Sequence, residues 1–363
     1  MTMLPLVKVR MPPKETLLPA LEQVLYSGMI AEGESVYRFE SEFGDWLGHR
    51  NVLAFSSGTG ALHVALLSCG VQPGDHVITT AMTAEPTNTT ILQMGAIPVF
   101  ADVDRENGNL CPDSVESLIN ERTRAICVVH YAGYVADLGR LRAIADAHGV
   151  ALIEDCAHAL GATWHGAPIG SIGDAAIFSF QAIKHMTTVD GGMLVVKDAA
   201  KMDEARRLRW FGLRKGVPRT EVDISRVGFK YNMNNVTATI GIQQLTGLDE
   251  AIARHIDNGR FFDRAFQDVA GIEPARVNSA AQSSYWLYTL LCDESESVER
   301  RLADIGVTAS KLHRPNHLHS VFAPFRRNLP QLEDFYRRLI HIPCGWWVSE
   351  TDRQRIVHAI KAG

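Results

Sequence analysis

Between residues 50 and 200, short apolar runs alternate with stretches of helical periodicity, and this alternation restricts the fold more than any other feature of the sequence. Most of the runs are rich in valine and isoleucine, and they are apolar at odd and even positions alike, as strands covered on both faces should be. Strand–helix alternation predicts an α/β fold with a mostly parallel sheet flanked by helices. The last two runs follow one another without a long helix, so one of them can run antiparallel. The predicted strands are 51–55, 76–80, 97–102, 125–130, 150–155, 175–180 and 192–196.

Four helices are predicted between these strands, and the last has Leu138, Leu141, Ile144 and Ala145 on one face. The fourth of them has Gly149 as a C-cap, a position that favours glycine. They occupy residues 59–68, 87–94, 112–120 and 138–149.

The sequence after residue 230 predicts a second, smaller unit. Residues 232–266 have the pattern of one or two long helices, and we place a domain boundary near residue 250. This divides the chain into a large domain, 1–250, and a smaller C-terminal α/β domain, 251–363. The second domain should contain a strand over 284–292, a helix over 297–306 and a last helix that begins near Ser349, a good N-capping residue.

Charge and cysteine content exclude several classes of protein. The net charge of −5 leaves no basic footprint for nucleic acid and no polybasic membrane patch, and the apolar runs are too short to cross a bilayer. The six cysteines include no C-x-x-C pair, so neither a zinc site nor a redox pair is indicated. Scattered cysteines and an N-terminus without a long apolar core predict a cytoplasmic protein without a signal peptide.

Polar residues follow three of the predicted strands. Gly58 and Thr59 lie in "SSGTGA", where a turn enters a helix; such a turn suits a phosphate, although Ser and Thr also cap helices routinely. Asp155 ends the strand "ALIED" and is either a helix cap or a carboxylate facing a cationic ring nitrogen. His158, three residues later, lies one helical turn away or stacks on a ligand.

Lys184 follows the end of the strand "AAIFSF", with Ser179 and Gln181 before it. It is either a solvated loop lysine or an amine activated by desolvation for attack on a carbonyl. In a parallel sheet these three strand ends share one edge. A phosphate cradle, an aspartate for a ring nitrogen and a lysine for an aldehyde match the three functional groups of pyridoxal phosphate.

Beyond these residues, long segments resemble the DegT/DnrJ/EryC1/StrS sugar aminotransferases, a family of fold-type-I pyridoxal-phosphate enzymes. The resemblance covers almost the whole chain and is most specific over 150–196, "VALIEDCAHALGATWHGAPIGSIGDAAIFSFQAIKHMTTVDGGMLVV". It implies the fold-type-I transferase fold and a homodimer with active sites at the subunit interface. It further implies a cofactor, pyridoxal 5′-phosphate. The residue patterns themselves lead us to expect no metal.

Carried over by position, the resemblance assigns roles to individual residues. Lys184 forms a Schiff base with the cofactor, Asp155 pairs with the ring nitrogen, and His158 lies near the ring. Gly58, Thr59 and Ser179 hold the phosphate, and Gln181 lies close to the lysine loop. Lys230 reaches the phosphate of the partner subunit.

The chain departs from the family pattern at three positions. Where many relatives have asparagine and then arginine, this chain has Lys230 and Asn232. Ala84 replaces an aromatic residue that stacks on the ring, and Asp190 replaces a glutamate before the glycine pair. A branch of the family that performs dehydration has histidine in place of the lysine, and Lys184 argues against that branch.

The predicted function is transfer of an amino group from an amino acid, L-glutamate by resemblance, to a keto sugar. The sugar is expected to be a nucleotide-linked keto-deoxysugar for surface polysaccharide or natural-product biosynthesis. The alternatives are a sugar dehydratase, an aminotransferase for a free or acidic keto sugar, and a non-catalytic regulatory protein.

Two further segments have a less specific pattern. His313, His317 and His319 lie in "KLHRPNHLHSVF", which we interpret as a solvated or substrate-lining loop rather than a metal site. Trp346 and Trp347 are expected to pack the small domain.

Overall fold

The computed structural model describes residues 3–362. The helices are α1 (Lys14–Leu25), α2 (Glu34–Leu47), α3 (Gly58–Ser68), α4 (Glu85–Gln93), α5 (Pro112–Leu118), α6 (Leu138–His148), α7 (Met202–Arg209), α8 (Asn235–Leu245), α9 (Leu248–Phe266), α10 (Ser295–Asp304), α11 (Pro330–Arg338) and α12 (Glu350–Lys361). The strands are β1 (Val52–Phe55), β2 (His76–Thr80), β3 (Ile97–Ala101), β4 (Thr123–Val129), β5 (Ala151–Asp155), β6 (Thr163–Trp164), β7 (Ala167–Pro168), β8 (Ala175–Ser179), β9 (Gly192–Val196), β10 (Ile272–Pro274), β11 (Ala281–Gln282), β12 (Tyr288–Cys292) and β13 (Leu339–Ile342).

The main sheet has seven strands in the order β1-β9-β8-β5-β4-β2-β3. Strand β9 pairs antiparallel with both of its neighbours, and the other pairs are parallel. All seven predicted strands of the large domain are therefore confirmed. The prediction that one of the last two runs antiparallel is also confirmed, and that strand is β9.

The main sheet is buried on both faces, which explains why its strands are continuously apolar. Along β9, Met193 and Val195 pack into one hydrophobic cluster, whereas Leu194 and Val196 pack into another. Successive side chains of a strand point to opposite faces, so this one strand contributes to both clusters. Helix α3 covers one face against β8 and β9, and α2 and α6 contact β1 and β5.

The C-terminal region builds a second, antiparallel sheet of three strands, β10-β12-β13, flanked by α10, α11 and α12. Helix α9 runs without interruption through residue 250, from Leu248 to Phe266. The division of the chain near that residue stays a prediction. Residues from the N-terminus join the C-terminal region, since Leu4 pairs with Val307 and the Trp347 indole donates a hydrogen bond to the Pro5 carbonyl at 3.0 Å.

Both predicted helix caps are confirmed. Gly149 ends α6 with φ 64°, in the left-handed region that favours glycine. Ser349 begins α12 in a capping box with Asp352, which satisfies amide groups that have no partner within the helix.

None of the helices described between residues 3 and 362 is long and apolar enough to span a membrane. All six cysteines lie in this range and are free.

Candidate active site

A cleft of ≈ 320 Å³ opens at the carboxyl edge of the main sheet. Its lining begins where β1, β2, β5 and β8 end, which is the edge where ligands bind in parallel α/β sheets. The predicted residues that line it together are Gly58, Thr59, Asp155, His158, Ser179, Gln181 and Lys184. The structure therefore brings the three strand ends to one place.

Lys184 lies in the loop after β8, partly buried, with its Nζ 4.1 Å from the ring centroid of Trp286. The indole N–H of Trp286 also donates a 2.8 Å hydrogen bond to the carbonyl of Ile183, so one side chain holds both the loop and the amine. Burial lowers the pKa of Lys184 from 10.5 to about 7, against the opposing effect of the Asp155 charge. An amine with this pKa is substantially neutral, and therefore nucleophilic, at neutral pH.

We expect Lys184 of the cofactor-free protein to acylate with half-maximal reactivity near pH 7, because only the neutral amine attacks the reagent. Competitive labelling with acetic anhydride, read by peptide mass spectrometry, measures this titration. Exposed Lys197 serves as the internal reference. A midpoint for Lys184 near 10 would show that the loop leaves its amine solvated.

Asp155 is 4% exposed at the end of β5. Its Oδ2 accepts a hydrogen bond from the Thr87 hydroxyl at 2.9 Å, and its Oδ1 accepts one from the Ala157 N–H at 3.1 Å. Burial raises the pKa of Asp155, while these two hydrogen bonds and the Lys184 charge oppose the rise. The site therefore holds a carboxylate whose charge is incompletely compensated, as expected where a cationic group is to bind.

Glu154, the preceding residue, has a structural role on the opposite face of the strand. Its carboxylate is fully buried and accepts hydrogen bonds from three backbone N–H groups, those of Gly170, Ile172 and Gly173, and from His130 Nε2. Cys156 lies close enough to share a metal ion with His130 and Glu154, but four hydrogen bonds already occupy the Glu154 oxygens. The alternation of the strand thus separates two adjacent carboxylates into a loop anchor and a cleft residue.

Replacing Glu154 with glutamine should lower the free energy of unfolding by about 3 kcal/mol, because one amide oxygen cannot satisfy four donors. Although burial acts to raise the pKa of Glu154, the hydrogen bonds and the nearby His130 keep that pKa below its ordinary value. The stabilisation is therefore complete above the unfolded-state pKa of about 4.3 and is lost as pH falls through the folded-state value. Urea denaturation at pH 7 and at pH 4 measures both effects. Equal stability of variant and wild type at pH 7 would contradict this assignment.

His158 is buried in a group of aromatic rings. Its ring stacks on Trp286 with centroids 4.2 Å apart and lies parallel to the ring of His313 at 5.6 Å. Its Nδ1 accepts a 3.4 Å hydrogen bond from the Ala132 N–H, and burial, followed by the charge of Lys184, holds its pKa well below the ordinary value. His158 is therefore neutral.

Gly58 and Thr59 form the first turn of α3, whose leading N–H groups have no acceptor within the helix. The Ser57 side chain caps this turn by accepting a hydrogen bond from the Gly60 N–H at 3.0 Å. A Cβ added at Gly58 would lie 2.9 Å from the Ser179 Cβ, so only glycine lets these two segments approach. The result is a small cradle with backbone donors and hydroxyls, which suits a phosphate.

The remaining residues singled out from the sequence, Gln181, Lys230 and Ala84, differ in whether they line the cleft. Gln181 lines the cleft, and its side chain accepts a 3.0 Å hydrogen bond from the Ile183 N–H. Lys230 is exposed and does not line the cleft; its Nζ lies 4.3 Å from the Trp210 ring centroid and donates to Asn232. Ala84 does line the cleft, and its methyl group offers no ring to stack on a ligand.

Sequence reasoning missed Thr87 and Trp286. Thr87 lies one helical turn after Thr83, and the two hydroxyls are 3.0 Å apart, so the spacing in "TAEPT" could have indicated a polar pair. Trp286 lay in a segment that was predicted as a plain strand. Of the three loop histidines, only His313 lines the cleft.

These contacts fit pyridoxal phosphate. The donors at the start of α3 can receive its phosphate, the undercompensated carboxylate of Asp155 can face its ring nitrogen, and the amine of Lys184 can reach its aldehyde. Each group of the cofactor has a counterpart of suitable chemistry in one cleft.

Similarity to known proteins covers the whole fold. SpsC of Bacillus subtilis, a spore coat polysaccharide biosynthesis protein, is 32% identical over 357 residues, which cover 93% of this chain and 92% of that protein. The sugar aminotransferase CalS13 of Micromonospora echinospora superposes with a TM-score of 0.96 at 36% identity, covering 99% of this chain and 100% of that one. The predicted fold-type-I transferase fold is confirmed.

The proposed sugar aminotransferase Spr1654 of Streptococcus pneumoniae has been solved in a pyridoxal-phosphate form, with a TM-score of 0.88, 26% identity and 98% of both chains covered. The sequence model of the DegT/DnrJ/EryC1/StrS aminotransferase family matches residues 13–361. The chain therefore belongs to the DegT/DnrJ/EryC1/StrS aminotransferase family, whose cofactor is pyridoxal phosphate, and is a sugar aminotransferase.

Proposed function

We propose that the protein moves the amino group of L-glutamate to the carbonyl carbon of a nucleotide-linked keto-deoxysugar, with Lys184 and Asp155 as catalytic residues. The observation that carries the proposal is a lysine whose pKa is lowered to about 7 in the same cleft as a buried aspartate. The relatives support the sugar acceptor, since CalS13 is described as a sugar aminotransferase and SpsC acts in polysaccharide biosynthesis.

Lys184 moves the proton in this proposal. When bound, pyridoxal phosphate supplies an aldehyde that condenses with amines and a ring that delocalises negative charge. With the cofactor bound, Lys184 Nζ would accept the proton from the α-carbon of the amino acid as general base and would then return it as general acid. A pKa near 7 suits both steps, because the same amine must accept and return a proton near neutral pH.

Asp155 acts through charge rather than through proton transfer. Its carboxylate is held by Thr87 and the Ala157 N–H, so it can keep the ring nitrogen protonated without reorientation during the reaction. His158, held by Trp286 and the Ala132 N–H, restricts the space beside the ring. Gly58, Thr59 and Ser179 hold the phosphate, and Gln181 supports the lysine loop through its hydrogen bond with the Ile183 N–H.

We assign Lys230 to the phosphate of a partner subunit in a homodimer. Its exposure outside its own cleft supports a role across an interface. Large apolar side chains are also exposed, among them Val227, three residues before Lys230, at 76% and Tyr26 at 86%. Sedimentation equilibrium tests the assignment, and a monomer at micromolar concentration would contradict it.

The deciding experiment starts from protein loaded with the aminated cofactor, pyridoxamine phosphate. Keto hexoses, deoxygenated or not, are added free, phosphorylated, oxidised to acids or linked to nucleoside diphosphates. Return of the aldehyde absorbance with a nucleotide-linked keto-deoxysugar, and amination of the sugar in the product, is the expected result. Reaction only with free or acidic keto sugars would show that the substrate is not nucleotide-linked. A deoxygenated product formed without glutamate would indicate a dehydratase, and a protein inert to glutamate and all sugars would indicate a binding role.

A further inference from the structure

The histidine-rich loop after α10 brings one side chain, His313, into the cleft of Lys184 and Asp155. The other two histidines of the loop do not line it: His317 packs edge-on against Phe100, and His319 lies 3.7 Å from the Glu85 carboxylate. His313 is thus a polar cleft residue from the C-terminal region that the proposed chemistry does not use.

The ring of His313 is fixed, but its hydrogen bonding is incomplete. It lies parallel to His158 at 5.6 Å and edge-on to Tyr131 at 6.4 Å. Its Nε2 is buried, yet within residues 3–362 no group pairs with it. A buried polar atom without a partner is uncommon in folded proteins and calls for a specific cause, such as a group supplied by a ligand.

The loop that carries His313 is held rigidly against the opposite wall of the cleft. The Asn316 side chain donates to the Thr83 carbonyl at 2.7 Å and accepts from Asn88 at 2.8 Å, and its N–H donates to the Ala81 carbonyl at 2.7 Å. Three hydrogen bonds from one buried residue therefore set the distance between His313 and the strand ends.

The backbone directly before His313 is strained. Leu312 has φ 46°, in the left-handed region that is unfavourable for a branched side chain, and the His313 N–H closes a tight turn onto the Lys311 carbonyl at 2.6 Å. Such conformations persist only where the surrounding structure imposes them, and they cluster at functional sites.

His313 is neutral in this environment. Burial, followed by the charge of Lys184, lowers its pKa to about 4, against the opposing charge of Glu85. A neutral imidazole has one donor and one acceptor nitrogen, which matches a hydroxyl group, whereas an anion would require a cation or several donors.

We propose that His313 is a specificity residue that recognises a hydroxyl group of the sugar substrate. The inference rests on the proposed function, because it assigns to His313 the polar contact that orients the sugar ring above Lys184. Buried polar groups reject an analogue that lacks their partner, so His313 would favour a sugar hydroxylated at one position over its deoxy analogue.

The test compares wild type with His313→Phe, which keeps an aromatic ring beside His158 but has no ring nitrogen. The probes are glutamate, the keto hexose that reacts fastest in the screen above, and deoxy analogues of that hexose. We expect the KM for the keto hexose to rise about tenfold, with the KM for glutamate and the melting temperature unchanged. In the wild type, the KM for one deoxy analogue should be about tenfold higher than the KM for the parent hexose. In the variant, the two KM values should be equal, because the substitution and the missing hydroxyl remove the same contact. His313→Gln, which keeps a donor and an acceptor, should recover part of the loss.

His319→Phe is the matched control, because it removes a histidine of the same loop that does not line the cleft. Equal KM values for wild type and His313→Phe would overturn the proposal and assign the buried Nε2 to a water molecule. An equal rise in both phenylalanine variants would overturn it in favour of a general disturbance of the loop. A wild-type protein that aminates no sugar would overturn both this inference and the proposed function, whereas active wild type with an unchanged variant would overturn only this one.

Discussion

Lys184→Ala is expected to lose about 10³- to 10⁴-fold of the amino-transfer rate, because the substitution removes the only group assigned to carry the proton. The fold should persist, since the Lys184 side chain makes no hydrogen bond that an alanine would leave broken within the described structure. Trp286 would still hold the loop through the Ile183 carbonyl. Single-turnover kinetics with glutamate, followed by absorbance, measures the loss.

Lys197→Ala, a change of an exposed lysine at the end of β9, is the control and should be as active as wild type. Reduction of the wild-type holoenzyme with borohydride should attach the cofactor to the peptide that contains Lys184. A tenfold or smaller loss in Lys184→Ala, or a label on another lysine, would refute the role of Lys184.

Asp155→Asn is expected to lower kcat by about 10²- to 10³-fold, the usual effect of removing one preorganised electrostatic group. Asparagine can still accept a hydrogen bond from Thr87 or Ala157, so the cleft should keep its shape while the charge is lost. Steady-state kinetics with saturating glutamate measures the effect. Asp45→Asn, an exposed change on α2, is the control. Turnover within threefold of wild type would refute the electrostatic role.

The same substitution should stabilise the cofactor-free protein. Burial raises the pKa of Asp155 in the folded state, so its ionised form is less favourable there than in the unfolded chain. This cost is absent below the unfolded-state pKa and complete above the folded-state value. At pH 7, therefore, cofactor-free Asp155→Asn should melt at a higher temperature than cofactor-free wild type, and the two should converge in acid. A lower melting temperature at pH 7 would show that the carboxylate is fully compensated.

Features of this molecule that depend on residues close together in the sequence could be predicted, whereas features that depend on residues far apart in the sequence could not. The strands of the main sheet were predictable because burial on both faces makes residues such as Leu194 and Val195 apolar in succession. Lys184, Asp155 and Gly58 were predictable as one site because parallel strands bring their ends to one edge. Local signals of this kind need no knowledge of tertiary contacts.

Other features depend on contacts that no local pattern encodes. Helix α2 was missed although Val36, Phe39 and Phe43 have helical spacing, and the two-residue strands β6, β7 and β11 are too short for any periodicity. Trp286 contacts a loop about a hundred residues earlier in the chain, and only the tertiary fold shows it beside Lys184. Glu154 and Asp155 are adjacent in the sequence, and the direction of each side chain decides their separate roles.

The chain is synthesised from its N-terminus, and this order decides when the cleft around Lys184 can be completed. The sheet edge with Asp155 and Lys184 leaves the ribosome before Trp286, which covers the lysine, and before Asn316, which ties the histidine loop to the cleft. Leu4, near the N-terminus, must also wait for the C-terminal region, because its bridge partner is Val307. Contacts of such sequence separation form slowly and only after the intervening chain is complete. We therefore expect cofactor capture to follow synthesis of these later residues, and a ribosome-stalled chain ending before Ser284 should show no borohydride-dependent label at Lys184.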